Sequence, residues 1–324
     1  MAKVSIIIPV FNAERFLRET LDSVVGQTFQ DWICLLVNDG STDDSQAIVD
    51  DYCRKDSRFV SYVKENEGSP DLARKFGWEK AESEWVMHLD SDDIIESAYV
   101  EKVLKRQEQT RADVVCARII YNQEGKSFCI PAEDFDMSVV LSGRDSFKKT
   151  IAGWDITCNG MLYRLQLTKD IVHGEYINSD EFTFRQILFK SQKVAFVDAK
   201  YYCRENVDSI SRSPSIRMFN NLKVKLLIED FVMENYPNDI TLCSKAVCSR
   251  FRELVSFAAK YWLKQGDFSQ ADWRKAGMWL REAYDAQNMK RLSTFYPRYH
   301  RVFCHGFYWF GLMSVIYELR RRMK

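Results

Sequence analysis

Near its start the chain reads Val4-Ser5-Ile6-Ile7-Ile8-Pro9-Val10-Phe11-Asn12, an apolar run that ends at a polar residue. Such a run predicts a parallel strand that is covered on both of its faces. Apolar segments recur at 32–37, 59–63 and 85–89, and the stretches between them carry apolar residues at helical spacing. This alternation predicts an α/β fold in which an open, mainly parallel sheet lies between layers of helices.

The pattern changes along the rest of the chain. Residues 113–206 mix the two periodicities, with strands expected at 113–121, 127–130, 193–197 and 201–204 and helices at 142–151 and 180–190. From about 215 the pattern is helical, and serines and a proline cluster just before it. We therefore expect one domain at 1–210 and a helical C-terminal region at 211–324.

The bulk composition excludes several classes of protein. Lysine plus arginine and aspartate plus glutamate both number 46, so the basic excess of a nucleic-acid-binding protein is missing, and we expect no nucleic-acid partner. The nine cysteines include no C-x-x-C pair, which favours reduced thiols over a disulfide framework. The first apolar run reads as a strand rather than a leader peptide, and no stretch is long enough for a membrane span. The sequence favours a cytoplasmic protein.

Polar side chains follow three of the predicted strands. Asn12 follows the first strand and is also placed to cap the helix after it, Asp39 follows the second strand, and Asp90-Ser91-Asp92-Asp93 follows the fourth. The carboxyl ends of parallel strands meet at one edge of an open sheet, and ligands of such sheets bind there. The sequence therefore predicts a ligand site at this edge.

The acidic turn has two interpretations. Asp90 and Asp92 stand two residues apart at a strand end, so both can face one cation. Mg²⁺ and Mn²⁺ prefer such oxygen ligands and often share them with substrate phosphates. The alternative is a solvated turn that only caps the next helix.

Other candidate residues also allow two interpretations. Asp39 accepts a hydrogen bond from a base or ribose, or it belongs to an ordinary strand-to-helix turn. Arg74 contacts a phosphate, or it forms a surface salt bridge. Phe11 stacks on a base, or it packs in the core. Asp180 and Glu181 open a predicted helix, where they supply a general base or only complement the helix dipole.

Taken together and in this order, the motifs resemble those of the family 2 glycosyltransferases with the GT-A fold, whose nucleotide-binding half is Rossmann-like. The resemblance is close over residues 4–100, where the motifs stand at 4–12, 37–43, 66–68, 73–75 and 88–93. It continues more loosely to about 212, through 178–181, 201–206 and 209–211. It implies an inverting transferase that moves a sugar from a nucleotide diphosphate sugar, with UDP favoured, to an acceptor hydroxyl, using Mn²⁺ or Mg²⁺. It also implies bacterial surface-polysaccharide biosynthesis, with a glycan or lipid-linked acceptor.

The resemblance assigns roles to residues of this chain. Those that would hold the nucleotide are Pro9, Val10, Phe11, Asn12, Glu14, Asp39 and Gly40. Arg74 would face the diphosphate, and Asp90, followed by Ser91, would face the ribose and diphosphate. Asp92 would hold the metal ion.

The general base has two candidates in this sequence. The family usually carries Glu-Asp where this chain carries Asp180-Glu181. By alignment Glu181 takes the catalytic position, and by chemical type Asp180 takes it.

Two other functions fit parts of the sequence. A sugar nucleotidyltransferase uses a related sheet, but it usually needs a glycine-rich phosphate loop, which does not follow the first strand here. A non-catalytic nucleotide-binding or interaction protein of the same fold is the second alternative. The intact carboxylates Asp90, Asp92, Asp180 and Glu181 argue against it.

The C-terminal end combines aromatic and basic residues. An aromatic stretch at 307–313 precedes a basic end at 320–324. Such a segment lies on an anionic membrane surface, or it packs on the enzyme and leaves a solvated tail. The first interpretation adds peripheral membrane contact, at the inner face of the membrane, to the predicted partners.

Overall fold

The structure is a computed structural model that describes residues 2–123, 126–153, 160–174, 176, 178–204, 206, 216–264 and 268–322. Contacts within the chain divide it into two compact units. The first unit comprises Met1–Glu175 and Ser179–Asn206, and the second comprises Tyr176–Asn178 and Val207–Lys324.

The first unit is built on one sheet, whose described strands lie in the order β3-β2-β1-β4-β9-β6-β10-β5, with β7 beside β6 and β8 beside β10. They are β1 (Val4–Val10), β2 (Trp32–Asn38), β3 (Phe59–Val63), β4 (Trp85–His88), β5 (Ile94–Ile95), β6 (Val114–Gln123), β7 (Lys126–Ile130), β8 (Val140–Ser142), β9 (Met161–Arg164) and β10 (Lys193–Cys203). Strands β5, β7, β8 and β9 run antiparallel to their neighbours, and the remaining strands share one direction. The predicted α/β fold with a mainly parallel sheet is confirmed.

Helices cover both faces of this sheet. They are α1 (Leu17–Val25), α2 (Ser45–Lys55), α3 (Pro70–Lys80), α4 (Tyr99–Thr110), α5 (Gly143–Ile151) and α6 (Asp180–Lys190). Along β1, Ile6 and Ile8 belong to one buried cluster and Ile7 belongs to another, so the strand is covered on both faces. Helix α3 lies so close to the sheet that a Cβ atom at Gly77 would stand 2.5 Å from Ile7.

The sheet differs from the prediction at one expected gap and at three short strands, β5, β8 and β9, that were not expected. The sequence predicts separate strands at 193–197 and 201–204, but β10 runs through both, with a register shift between Phe196 and Lys200. That irregularity breaks the alternation of side chains, which explains the predicted gap. The short strand β9 pairs antiparallel with both β4 and β6, and it is too short to give a periodic signal.

The second unit is helical in its described part, as the sequence predicts for the C-terminal region. Its helices are α7 (Asn221–Asn235), α8 (Ile240–Trp262), α9 (Gln270–Ala283), α10 (Ala286–Phe295), α11 (Pro297–Phe303) and α12 (Phe307–Arg322). Aromatic side chains, among them Phe251, Phe303 and Phe310, dominate its core. None of the helices in the described ranges has both the length and the apolar content needed to cross a membrane.

A buried ion network ties three of these helices together. Glu229 on α7 is fully buried and accepts a hydrogen bond of 2.5 Å from Nε of Arg250 on α8. Its other oxygen accepts one of 3.0 Å from Arg291 on α10. The Glu229 carboxylate therefore pairs with two guanidinium groups. That of Arg250 is buried, and that of Arg291 also pairs with Asp230.

Replacing Glu229 with alanine is expected to lower the free energy of unfolding by about 3–5 kcal/mol, because it leaves the Arg250 guanidinium buried without its counter-ion. Urea denaturation followed by circular dichroism measures the change. Glu234→Ala is the matched control, since Glu234 lies on the same helix but is exposed. A Glu229→Ala protein as stable as this control would contradict the assignment of a structural role to the network.

Candidate active site

The loops that follow β1 and β2 are joined by reciprocal hydrogen bonds between backbone and side chains. Asn12 Oδ1 accepts a hydrogen bond of 2.8 Å from the backbone N–H of Thr42, and Ser41 Oγ accepts one of 3.1 Å from that of Asn12. Glu14 Oε2 accepts one of 2.9 Å from the Asp44 N–H, while Asp43 Oδ2 accepts one of 3.0 Å from the Glu14 N–H. These loops therefore form one unit at the carboxyl edge of the sheet.

Asn12 does not cap a helix, contrary to the prediction. Helix α1 begins only at Leu17, and the backbone of Asn12 has a left-handed φ of 48°. Asparagine tolerates this conformation better than most residues, so its identity here serves the turn and the contact with the neighbouring loop.

The end of β1 presents one aromatic ring to solvent. Val10 is fully buried in the core, Pro9 is half-buried, and Phe11 is 38% exposed at the strand end. The core interpretation of Phe11 is therefore wrong, and its ring is available for stacking. Val10 belongs to the edge through its backbone, since its carbonyl accepts a hydrogen bond of 2.9 Å from the Asp39 N–H.

Asp39 is held by a lysine that the sequence analysis did not single out. Lys64 Nζ donates a hydrogen bond of 2.7 Å to Asp39 Oδ1, and the Glu67 N–H donates one of 3.4 Å to the same oxygen. Burial alone would lower the pKa of Lys64, but its bonds to Asp39 and Glu67 raise it above the ordinary value. Gly40 has a φ of 73°, and a Cβ atom there would stand 3.0 Å from the backbone nitrogen of Asn66. A lone lysine after a strand carries no motif that could have identified it.

Arg74 brings three elements together. From α3, its guanidinium donates a hydrogen bond of 2.8 Å to Asp90 Oδ1 at the end of β4. It also lies 3.5 Å from Asp180 Oδ2 at the start of α6. The side chain of Arg74 is buried, so the interpretation as a surface salt bridge is wrong. Three residues from separate motifs thus meet at one place.

The acidic turn concentrates negative charge. Asp92 Oδ2 accepts a hydrogen bond of 2.8 Å from Asn206 Nδ2. Burial, followed by the charge of Asp90, raises the pKa of Asp92 above its ordinary value. Burial and the charges of Asp90 and Asp92 raise the pKa of Asp93 to about 8. Ser91 contributes its carbonyl, which accepts a hydrogen bond of 3.0 Å from Thr20 Oγ1.

This turn does not cap the following helix. The short strand β5 follows it directly, and α4 begins only at Tyr99 without a side-chain cap. Asp90 and Asp92 carry carboxylate oxygens two residues apart in this turn, the ligand type that Mg²⁺ and Mn²⁺ prefer. The described residues include no set of three or more His, Cys, Asp or Glu side chains that could hold a metal ion by themselves. A cation here would need oxygen ligands from a substrate, as Mg²⁺ and Mn²⁺ commonly do.

Arg204 fixes the position of the acidic turn. Its Nε donates a hydrogen bond of 2.5 Å to the Asp92 carbonyl, and its backbone N–H donates one of 2.9 Å to Asp93 Oδ1. The guanidinium also reaches Glu19 and Thr20 on α1, at 2.6 and 2.9 Å. Arg204 lies in a segment that carries the family resemblance, but no spacing or motif in the sequence connects it with the turn.

The two candidate bases have different neighbours. Asp180 lies beside Arg74, whereas Oε2 of Glu181 stands 3.5 Å from Arg185, one turn further along α6. The Glu181 side chain is 34% exposed and that of Asp180 is 22% exposed. The structure thus brings Asp180 to Arg74 and Asp90, and it places Glu181 on the more open side of the helix start.

A buried cluster fastens α3 to α6 behind these residues. Asp71 Oδ2, on α3, accepts a hydrogen bond of 2.9 Å from Thr183 Oγ1 on α6 and lies 3.2 Å from Nδ1 of His173. Asp71 is almost fully buried. No pattern within α3 indicates these partners, which lie more than a hundred residues away along the chain.

The fold has close structural relatives. TarS residues 1–349 of S. aureus, solved in complex with UDP-GlcNAc, superpose with a TM-score of 0.72 at 20% sequence identity, over 98% of this chain and 92% of that one. At this identity the likeness shows the fold alone. The likeness, together with the mainly parallel sheet, shows that the chain has the GT-A fold.

Sequence comparisons then identify the family. The family described as Glycosyl transferase family 2 matches residues 5–172, more than half of the chain. The glycosyltransferase GlyG of Streptococcus pneumoniae is 25% identical over 65% of this chain and 73% of its own length. The cholesterol galactosyltransferase of Borreliella burgdorferi is 27% identical over 80% of this chain and 76% of its own length. The chain belongs to glycosyl transferase family 2, and it is a glycosyltransferase.

Proposed function

We propose that this glycosyltransferase transfers a sugar from a UDP-sugar to an acceptor hydroxyl with inversion, in the biosynthesis of a bacterial surface polysaccharide. The proposal rests on the contacts that Arg74 makes with Asp90, in the acidic turn, and with Asp180. TarS, of the same fold, has been solved with UDP and with UDP-GlcNAc, which supports a uridine nucleotide as the donor.

The donor would lie along the carboxyl edge of the sheet. Phe11 would stack on the base, and Asp39 would accept a hydrogen bond from it, since the described residues that donate to this carboxylate both bind Oδ1. Gly40 would allow the nucleotide close to the backbone. Arg74 would turn from Asp90 to the diphosphate, whose negative charge grows as the sugar leaves.

Asp92, with Asp90 beside it, would hold Mn²⁺ or Mg²⁺. The ion would share the diphosphate oxygens and offset the charge on the leaving group. Burial and then the charge of Asp90 raise the pKa of Asp92, and a cation would offset the second of these causes.

Glu181 would act as the general base. Asp180 is already engaged with Arg74, the residue assigned to the diphosphate, so its place is on the donor side. Glu181 has the more exposed side chain and takes the catalytic position by alignment. It would accept the proton of the acceptor hydroxyl as the oxygen attacks the anomeric carbon from the face opposite the diphosphate. The acceptor would be a glycan or a lipid-linked sugar, reached in the cytoplasm at the inner face of the membrane.

Nucleotide release from UDP-, GDP- and dTDP-sugars in the presence of Mn²⁺ tests this function. We expect slow hydrolysis of one UDP-sugar, abolished by a chelator. Failure to release or bind any nucleotide would favour the non-catalytic alternative. Formation of a nucleotide sugar from a nucleoside triphosphate and a sugar phosphate would favour the nucleotidyltransferase.

Asp39→Asn is expected to weaken UDP binding roughly ten- to hundredfold, because a hydrogen bond to a charged acceptor is lost. Isothermal titration with UDP measures the affinity. Asp31→Asn, an exposed change just before β2, is the control and should bind as the native protein does. Equal affinity in both variants would remove Asp39 from the nucleotide site.

A further inference from the structure

The C-terminal helix α12 splits its aromatic residues between two faces. Phe310 is fully buried, and Phe307 packs beside it against the core of the second unit. By contrast, Tyr308 is 71%, Leu312 52%, Leu319 46% and Trp309 44% exposed. Packing on the protein therefore accounts for one face of the aromatic stretch and leaves the other face in water.

The exposed residues form a continuous surface. Tyr308, Leu312 and Leu319 are spaced by four and seven residues, which places them on one side of a helix, with Trp309 at its margin. Trp309 Nε1 donates a hydrogen bond of 2.8 Å to the carbonyl of Val302 at the end of α11. The indole is thus held in place by α11 while its ring stays exposed. We call Tyr308, Trp309, Leu312 and Leu319 the aromatic stripe.

The segment that carries the stripe is strongly basic. Residues 286–324 contain eight Lys and Arg residues and one acidic residue, Glu318, so their net charge is 8 − 1 = +7, although the whole chain is neutral. Glu318 is buried and lies 3.6 Å from Arg321. Arg301 and Arg320 are exposed near the two ends of the stripe.

We propose that the aromatic stripe and the basic residues around it bind an anionic lipid surface. Aromatic and aliphatic side chains enter the boundary between headgroups and acyl chains, while arginines contact the headgroup phosphates. A second copy of this chain is a poor occupant, because it would bring one segment of charge +7 against another. The proposal does not depend on the donor or on the acceptor.

Co-sedimentation with vesicles tests the proposal on the full chain. We expect binding to phosphatidylcholine vesicles that contain phosphatidylglycerol, little binding to phosphatidylcholine alone, and release at high salt. Arg301→Ala with Arg320→Ala should weaken binding roughly ten- to thirtyfold. Tyr308→Ser, Trp309→Ser and Leu312→Ser together should weaken it about tenfold or more.

The matched control is Arg274→Ala with Met278→Ser. It removes one charge and one exposed apolar residue from α9, another helix of the second unit, and should bind as the native protein does. Thermal melting and UDP release of every variant should stay unchanged, which separates this proposal from the proposed function. Native protein that stays in the supernatant, or stripe variants that sediment with it equally, would overturn the proposal. A dimer in sedimentation velocity that the stripe variant loses would also overturn it and assign the stripe to a second copy.

Discussion

Glu181→Gln is expected to lower the rate of sugar transfer about 100-fold or more, because the amide cannot accept the proton of the acceptor hydroxyl. Affinity for UDP should stay at the native value, since the Glu181 side chain lies beside Arg185 rather than beside Arg74. Single-turnover transfer to an acceptor, paired with titration of UDP, separates these two effects. The variant keeps the shape of the side chain, so a folding defect is not expected.

Asp180→Asn provides the contrast. It removes the charge that faces Arg74, so it should change the affinity for UDP. It should also lower the rate at which the donor is hydrolysed in the absence of an acceptor. Should Asp180→Asn abolish transfer with UDP binding intact, while Glu181→Gln remains active, the base would be Asp180. The comparison therefore decides between the assignment by alignment and the assignment by chemical type.

Asp92→Asn is expected to reduce metal-dependent nucleotide release about 100-fold or more, because the cation that offsets the leaving diphosphate loses its charged ligand. A second readout is the gain in UDP affinity on adding Mn²⁺, which should largely disappear. Asp31→Asn again serves as the control, because Asp31 precedes β2 and so lies at the end of the strands opposite to the acidic turn.

A native response of Asp92→Asn to Mn²⁺ would contradict metal binding at this residue. Neither readout requires the acceptor to be known, so the experiment can precede its identification.

The sheet and the ends of its strands were predictable because their signals are local. The sequence shows the apolar run of β1, which is buried on both faces. It also shows the polar residues that follow β1, β2 and β4. β9 was missed because a short strand inserted between two others is defined by its neighbours, not by its own pattern. The same distinction, between residues recognised by a local pattern and residues defined by distant neighbours, applies to the site.

Residues whose role depends on distant partners were not predictable. Asp71 and Lys64 look like ordinary surface charges in the sequence, yet one is buried against Thr183 and the other holds Asp39. Asn12 was interpreted as a helix cap, since asparagine after a strand is typical of one, but its partner lies on the next loop. The spacing of apolar residues in the sequence shows the periodicity of a helix or a strand, whereas these contacts form only when the helices and strands pack together.

The reciprocal bonds between the loops after β1 and β2 also constrain recombination between relatives. A chimera that took only the first loop from a relative would place the relative's counterparts of Asn12 and Glu14 against the second loop of this protein. Their backbone partners on that second loop would then come from a different protein. Crossover points placed before Pro9 and after Gln46 would transfer both loops as one module. Any attempt to exchange nucleotide preference by swapping segments should therefore treat residues 9–46 as a single cassette.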